Sequence, residues 1–368
     1  MKNKVFLQTY GCQMNLRDSE VVSGLLQKAG YKICDDPKKA GIVILNTCSV
    51  RQHAEDKVWS EAGRFKEGKI VGIIGCMAKN YEMGIFERAK NVSFVVGPAD
   101  IAKIPEILKK LSKTQLFENK IWETEGEIRP ESIYHTGFYQ DKDHAFVVIS
   151  EGCSNFCSYC VVPYSRGALR HRDPQDVIKE IKEAISRGIT AVTLLGQNVN
   201  AFKGEGVDFI KLIKLVNDIK GLKEFGFITS HPKDAGIELF KAMADAPKLK
   251  KYLHLPAQSG SDRILKLMNR GYTRKYYLDL ADNYRKIVKG GMLTSDIIVG
   301  FPSETEGDLK DTFNLVKEAR FNAAFIFKYS PRPHTEAFKM ADTVSKEEKE
   351  KRHKLILDLQ KKISKEKR

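Results

Sequence analysis

The chain has 368 residues and carries 62 Lys and Arg against 47 Asp and Glu, a net charge of +15. At about 150 residues per domain this is room for two or three folded domains, which excludes a disulfide-stapled mini-protein. With 42% hydrophobic and 30% charged residues the composition excludes general disorder, and no run reaches the roughly 18 apolar residues of a membrane span. The positive excess suits an anionic partner, nucleic acid first. Seven cysteines is an odd number. The opening apolar stretch, Val5 to Leu7, is too short for the core of an export signal. Disulfides therefore give way to metal or redox chemistry in a reducing cytoplasm.

Up to about residue 111, apolar runs alternate with amphipathic stretches, the pattern of a parallel sheet flanked by helices. Lys4 to Gly11 runs into Cys12, Gly41 to Thr47 into Cys48, and Lys69 to Gly75 into Cys76. Each strand delivers one thiol at its carboxyl end, the edge where open α/β sheets bind ligands. Between the first two strands, Asp18 or Ser19 is expected to cap a helix with Val21, Val22, Leu25, Leu26 and Ala29 on one face, closed by Gly30. Cys34 falls outside these strand ends and reads as a small buried hydrophobe.

Residues 112–143 lose the alternation and read as a linker. A second series follows, with strands expected at 145–150, 191–195, 225–229, 252–255, 293–299 and 324–329. The helix between the first two carries Val177, Ile178, Ile181, Ala184 and Ile185 on one face and stops at Gly188. The expected fold is thus an N-terminal parallel-sheet α/β domain (1–111), then a partial (β/α)6 barrel (144–335) with its function at the strand carboxyl ends. A basic helical tail (336–368) begins with a capping box, Ser345 with Glu348, and offers Leu355, Leu359 and Ile363 to the barrel.

Directly after the first strand of the second series comes a C-x3-C-x2-C array, Cys153, Cys157 and Cys160, with Tyr159 before the last cysteine. Three thiolates can hold three irons of a 4Fe-4S cube and leave the fourth open for chemistry. Zinc is the competing reading, but structural zinc takes four ligands, usually in paired C-x2-C spacing, and His171 lies eleven residues on.

This loop resembles that of the radical S-adenosylmethionine (SAM) superfamily. A sheet domain offering Cys12, Cys48 and Cys76 ahead of it is similar to the methylthiotransferases of that superfamily. Four strings carry the likeness: Tyr10 to Asn15, Asn46 to Arg51, Leu195 to Asn200, and Tyr329 to Pro333. They resemble most the branch that modifies N6-isopentenyladenosine in tRNA. The resemblance implies one 4Fe-4S cluster on Cys153, Cys157 and Cys160, with its open iron chelated by SAM. It implies a second, auxiliary 4Fe-4S cluster on Cys12, Cys48 and Cys76.

It also implies a SAM site at the barrel mouth. Besides Tyr159, that site would use Gly196 and Gln197 near the amino group, Gln258 and Ser259 near the ribose, and Val299 and Gly300 near adenine. Glycines at strand ends serve turns as readily as ligands. The basic loop from Tyr164 to Arg172 offers Arg166 and Arg172, which could take the SAM carboxylate or an RNA phosphate bidentately, or form surface ion pairs. His171 stands where the family usually has serine, and His334 where it has glycine. The family normally continues into a small β-barrel RNA-binding module, the TRAM domain, which would begin where this sequence stops at Arg368.

The implied activity is methylthiolation of adenine C2 in a tRNA anticodon loop that already carries isopentenyladenosine. One SAM would methylate a sulfur on the auxiliary cluster and another would supply a radical. An external electron donor and a sulfur source are expected, with a monomeric, cytoplasmic enzyme and no membrane. The alternatives are a sister enzyme acting on threonylcarbamoyladenosine or a ribosomal-protein aspartate, and an RNA-binding iron-sulfur protein without turnover.

Overall fold

The computed structural model describes residues 3–49, 52–65, 68–113 and 120–367. Val50 and Arg51, the end of the Asn46 to Arg51 string, lie outside them. Contacts divide the chain into two compact units, one of residues 1–153, 161–172 and 179–189, the other of residues 154–160, 173–178 and 190–368. No helix among the described residues is long and apolar enough to cross a membrane.

In the first unit, β1 (Lys4–Tyr10), β2 (Lys32–Ile33), β3 (Ile42–Thr47), β4 (Ile70–Gly75), β5 (Phe94–Val96) and β6 (Ile121–Glu123) form one parallel sheet ordered β2-β1-β3-β4-β5-β6. Every residue of β3 and β4 is buried, as strands covered on both faces require. Their neighbours in sequence are α1 (Gln13–Lys28), α2 (Gln52–Ala62), α3 (Cys76–Tyr81), α4 (Gly84–Arg88) and α5 (Ile104–Leu111). Val43, Leu45, Val71, Ile73, Met77 and Phe86 are part of one core cluster. The strand order reverses between β1 and β3, which makes that point of the carboxyl edge a natural crevice. Ile121–Glu123 falls within the stretch read as connecting chain; at three residues, with a half-exposed tryptophan, it is too short to show a period.

The first helix begins earlier than expected. Cys12, not Asp18 or Ser19, is its N-cap, and Asp18 lies inside the helix, fully buried, where its carboxylate pairs with arginines instead of backbone amides.

All six strands of the second series form. β7 (His144–Val148) is followed by β8 (Ser150–Glu151), which pairs antiparallel with β9 (Arg170–His171), and α6 (Val162–Arg166) lies between those two. After α7 (Pro174–Ser186), the second unit runs through β10 (Ala191–Leu195), a short ribbon of β11 (Lys203–Gly204) and β12 (Val207–Asp208), α8 (Phe209–Asn217), β13 (Glu224–Ile228), α9 (Ile237–Asp245), β14 (Tyr252–His254), α10 (Asp262–Leu267), α11 (Arg274–Ile287), β15 (Met292–Val299), α12 (Glu306–Ala319), β16 (Ala323–Lys328) and α13 (Lys346–Glu366). β10 pairs with β13, β14 with β15, and β15 with β16, all in parallel, the strand-helix repeat of a β/α barrel.

The tail helix α13 starts at the expected cap: Ser345 Oγ accepts from Glu348 N at 3.1 Å. Its buried stripe differs from the expected one. Leu355 is 46% exposed, whereas Lys349, Arg352, Ile356, Gln360 and Ile363 are buried. Arg352 pairs with Glu304 and Glu306 at the start of α12 and with Glu348 on its own helix, so the docked face is set by charges as well as by apolar side chains. Ser345→Ala is expected to cost about 1 kcal/mol, seen as faster hydrogen exchange confined to the first turn of α13.

Candidate functional site

Parallel register brings the three N-terminal cysteines to one place. Tyr10 pairs with Thr47, and Thr47 with Gly75. Cys48 and Cys76 therefore follow the aligned row by one residue each and Cys12 by two, on strands about 4.8 Å apart. Cys48 N donates to Tyr10 O at 2.8 Å. The Cys12 thiol is brought down to about 6 by a hydrogen bond with Cys48, helped by the charge of Arg166 and by the backbone of Asn15 and Met14, against the opposing effect of burial. Its place at the start of a sixteen-residue helix favours a thiolate further.

Two fully buried asparagines lie beneath these thiols. Asn15 Nδ2 donates to Asn46 Oδ1 at 3.1 Å, while Asn46 Nδ2 donates to Asn15 O at 2.8 Å and to Ser19 Oγ at 2.9 Å. Cys12 N and Cys12 Sγ each lie 3.4 Å from Asn15 Oδ1. Gly75, at φ 90°, closes the arrangement, because a Cβ there would stand 2.4 Å from Asn46 Oδ1 and 2.8 Å from Thr47 O. The pair thus ties the turn that carries Cys12 to the strand that leads into Cys48, with Gly75, just before Cys76, packed against it.

Arg166 and Arg172 are not open phosphate hooks. Arg166 is 7% exposed and donates to Asp18 Oδ2 at 2.7 Å. Burial disfavours its charge, but Asp18, Cys76 and Cys12 more than offset that. Arg172, 4% exposed, pairs with Glu180, donates to Val148 O at 2.7 Å and stacks 4.1 Å from the Tyr134 ring. This corrects the expectation of an exposed guanidinium. Glu180 also takes Arg17, and Asp18 also takes Arg129, so four arginines are buried because carboxylates meet them. Beside Arg166 a cleft of about 410 Å³ is lined by Lys79, Thr124, Tyr164, Arg166 and Arg170 among others. Cys34 is half-buried and donates to Asp36 O at 3.7 Å, so it does not belong to a packed core.

In the second unit, the loop bearing Cys157 and Cys160 is clasped by the turn after α10. Ser158 N donates to Met268 O at 3.0 Å, Ser158 Oγ to Leu267 O at 2.8 Å, and Asn269 Nδ2 to Phe156 O at 3.0 Å. Tyr159 packs with Ile264, Met268, Phe301 and Tyr329. Cys153 N is bonded to Gly167 O at 3.1 Å. Among the described residues no three His, Cys, Asp or Glu side chains are gathered closely enough for a single metal ion.

Gly196 and Gln197 follow β10. Gln197 Oε1 is buried without a hydrogen-bond partner, as are Asn198 Oδ1, Ser230 Oγ and His231 Nε2 at the ends of β10 and β13. Buried polar atoms without partners are costly, and such a set fits a polar ligand that supplies them. His231 is held near 2 by burial and by the charges of Arg270 and Lys233, so its ring is neutral. Its Nδ1 accepts from Lys233 N at 3.2 Å, which places the remaining N–H on the orphaned Nε2. Ser230 and His231 were not singled out from sequence; a Ser-His-Pro string at a strand end was the available signal.

Gln258 adopts φ 69° and bonds through its backbone to both Asp296 and Ile298. Ser259 departs from the expected ribose role: it is 1% exposed, with its hydroxyl 3.3 Å from Thr312 Oγ1 and accepting from Ser261 N. Val299 is fully buried at the end of β15. Gly300 has φ 68°, and a Cβ there would meet Lys349 Cγ at 2.4 Å, so its glycine is demanded by α13 packing. His334 has φ 69°, in the left-handed region that favours glycine, the residue that the family resemblance leads one to expect there.

A model of the radical SAM superfamily matches residues 147–316, and one described as uncharacterized protein family UPF0004 matches residues 4–97. Curated proteins named tRNA-2-methylthio-N(6)-dimethylallyladenosine synthase are similar over nearly the whole chain. The Clostridium beijerinckii protein is 42% identical over 97% of this chain and 80% of its own length. That of Geobacter sulfurreducens is 41% identical over 98% and 83%, and that of Fervidobacterium nodosum 42% over 99% and 84%. Among solved structures, the radical SAM methyltransferase TsrM from Kitasatospora setae, with cobalamin and a [4Fe-4S] cluster bound, superposes with a TM-score of 0.63 at 13% identity, covering 92% of this chain and 74% of that one. The cobalamin-dependent SAM radical enzyme OxsB gives 0.59 at 13% identity, over 99% and 56%. At such identity these two share the fold alone.

Proposed function

This chain belongs to the family of tRNA-2-methylthio-N(6)-dimethylallyladenosine synthases, radical SAM enzymes, and on that premise we propose how its residues divide the work. The reaction is methylthiolation of C2 of N6-isopentenyladenosine beside the anticodon of tRNA, with two 4Fe-4S clusters and SAM as cofactors. A C2–H bond has no useful acidity, so radical chemistry carried by the cofactors is the available route. When bound, SAM supplies both the methyl group and a 5'-deoxyadenosyl radical, and the auxiliary cluster supplies the sulfur.

The observation that carries the division is the convergence of Cys12, Cys48 and Cys76 on one sheet edge, separate in sequence from Cys153, Cys157 and Cys160. The first set holds the auxiliary cluster, with Arg166 as a nearby cation. The second holds the cluster that binds SAM. Gly196, Gln197, Gln258, Val299 and Gly300 line the SAM site with Tyr159, and Ser230 and His231 add polar atoms to it. The target base is splayed out of the single-stranded loop to be reached, and the net charge of +15 draws in the tRNA backbone. A low-potential electron donor and an external sulfur source complete the cycle, with a monomer working in the cytoplasm.

Anaerobic reconstitution should give about eight irons per chain, two cubes. Replacing Cys153, Cys157 and Cys160 with alanine should leave about four and abolish 5'-deoxyadenosine formation. Incubation with isopentenylated tRNA, then mass spectrometry of its nucleosides, should show isopentenyladenosine gaining one methylthio group. No gain there, with a gain on threonylcarbamoyladenosine, would move the chain to the sister activity.

A further inference from the structure

Arg270, in the turn between α10 and α11, is 5% exposed, yet no carboxylate pairs with it among the described residues. Its Nη1 donates to Cys157 Sγ at 3.3 Å and to Tyr159 OH at 3.4 Å, its Nη2 to Pro256 O at 3.0 Å, and its Nε to Tyr272 OH at 3.0 Å. The guanidinium stacks 5.3 Å from the Tyr272 ring. Arginine keeps its charge in proteins, and a buried charge without a counter-charge is costly. The two phenols are neutral side chains, and Pro256 offers only a carbonyl dipole. The one partner able to carry a full negative charge is the sulfur of Cys157. Five other buried arginines behave differently: Arg17, Arg129, Arg166, Arg172 and Arg352 each meet a carboxylate.

We propose that Arg270 is the built-in counter-cation of the cluster held by Cys153, Cys157 and Cys160, a positioning residue that stabilises the reduced state and raises the reduction potential. A fixed positive charge favours the state with one more electron, and hydrogen bonds to ligand sulfurs shift cluster potentials in the same direction. The electron comes from the low-potential one-electron donor, and Arg270 exchanges no proton or electron. The turn that presents Arg270 also clasps the loop, through Met268 and Asn269, so charge and loop position are fixed together. The inference rests on the assignment of the three cysteines above, and the test separates the two.

The full chain carrying Cys12→Ala, Cys48→Ala and Cys76→Ala leaves one cluster to titrate. In that background Arg270→Met removes the charge and Arg270→Lys keeps it. Both are expected to hold about four irons. The methionine variant should show at least a tenfold lower reduced-to-oxidised ratio at a fixed potential, equivalent to about 59 mV for one electron, and lysine should restore at least half of that shift. A methionine variant with four irons and the parental midpoint overturns the proposal, as does a lysine variant no closer to the parent than methionine. If the methionine variant takes up no iron, Arg270→Gln replaces it in the same comparison. Loss of iron from the methionine, glutamine and lysine variants alike makes Arg270 a structural bracket and also overturns it. No iron in the triple-alanine background sinks the cysteine assignment instead.

Discussion

An Asp18→Ala chain is expected to lose about 3–5 kcal/mol of stability, the cost of breaking a buried ion pair from one side. Asp18 is 1% exposed, and each of its oxygens faces a different guanidinium, Arg129 at 2.8 Å and Arg166 at 2.7 Å. Alanine leaves two buried cations short of a carboxylate. Arg129 keeps Glu151, so Arg166, next to the thiols, is the more exposed to the loss. Asp18→Asn, which keeps the shape and one acceptor oxygen but loses the charge and turns an amide N–H toward the second guanidinium, should cost less than alanine only by the one bond it retains. Denaturant midpoints at unchanged slope read the difference, and an alanine variant within 1 kcal/mol of the parent would contradict the buried network.

The same carboxylate sets a pH signature. Burial pushes Asp18 up, but Arg129 and Arg166 hold it below its ordinary 3.8. Its contribution is therefore full above about pH 4 and is lost as pH falls through the lower folded value. The parent should lose more stability than Asp18→Asn over that acid range.

The second large effect concerns the asparagine pair. Asn46→Ala should halve the iron of the reconstituted chain, from about eight to about four per chain, while 5'-deoxyadenosine is still formed in the presence of a reductant. Alanine removes both donors of Asn46, to Asn15 O and Ser19 Oγ, and the acceptor for Asn15 Nδ2. The turns bearing Cys12 and Cys48 then lose their shared bracket. Asn46→Asp keeps the acceptor but not the donors and should fall between the two. Equal loss of iron from both clusters would mean general unfolding, and full retention would show that the strands alone place the thiols.

Much of this was legible in the sequence because strands announce themselves locally. The runs into Cys12, Cys48 and Cys76 and the six later strands are apolar stretches of strand length, and each forms where expected. What stayed hidden depends on partners far along the chain. Arg172 looks like a surface cation until Glu180 meets it. Arg270, 113 residues from Cys157, has no local sign of its bond to sulfur. Asp18 looks like a cap because Asp favours that position, but two distant arginines place it inside the helix. On α13 the apolar residues suggest a stripe through Leu355, yet pairing of Arg352 with Glu304 and Glu306 turns the helix otherwise.

The aligned row of Tyr10, Thr47 and Gly75 bears on which length changes the fold can absorb. One residue added to or lost from β1, β3 or β4 would flip every following side chain across the sheet and carry a thiol away from its companions. The connections at the opposite edge, 34–41 and 89–93, face no such demand, and loop insertions cost little there. Natural variation in length should gather at the amino edge of this sheet, while the distance in residues from each strand to its cysteine stays fixed.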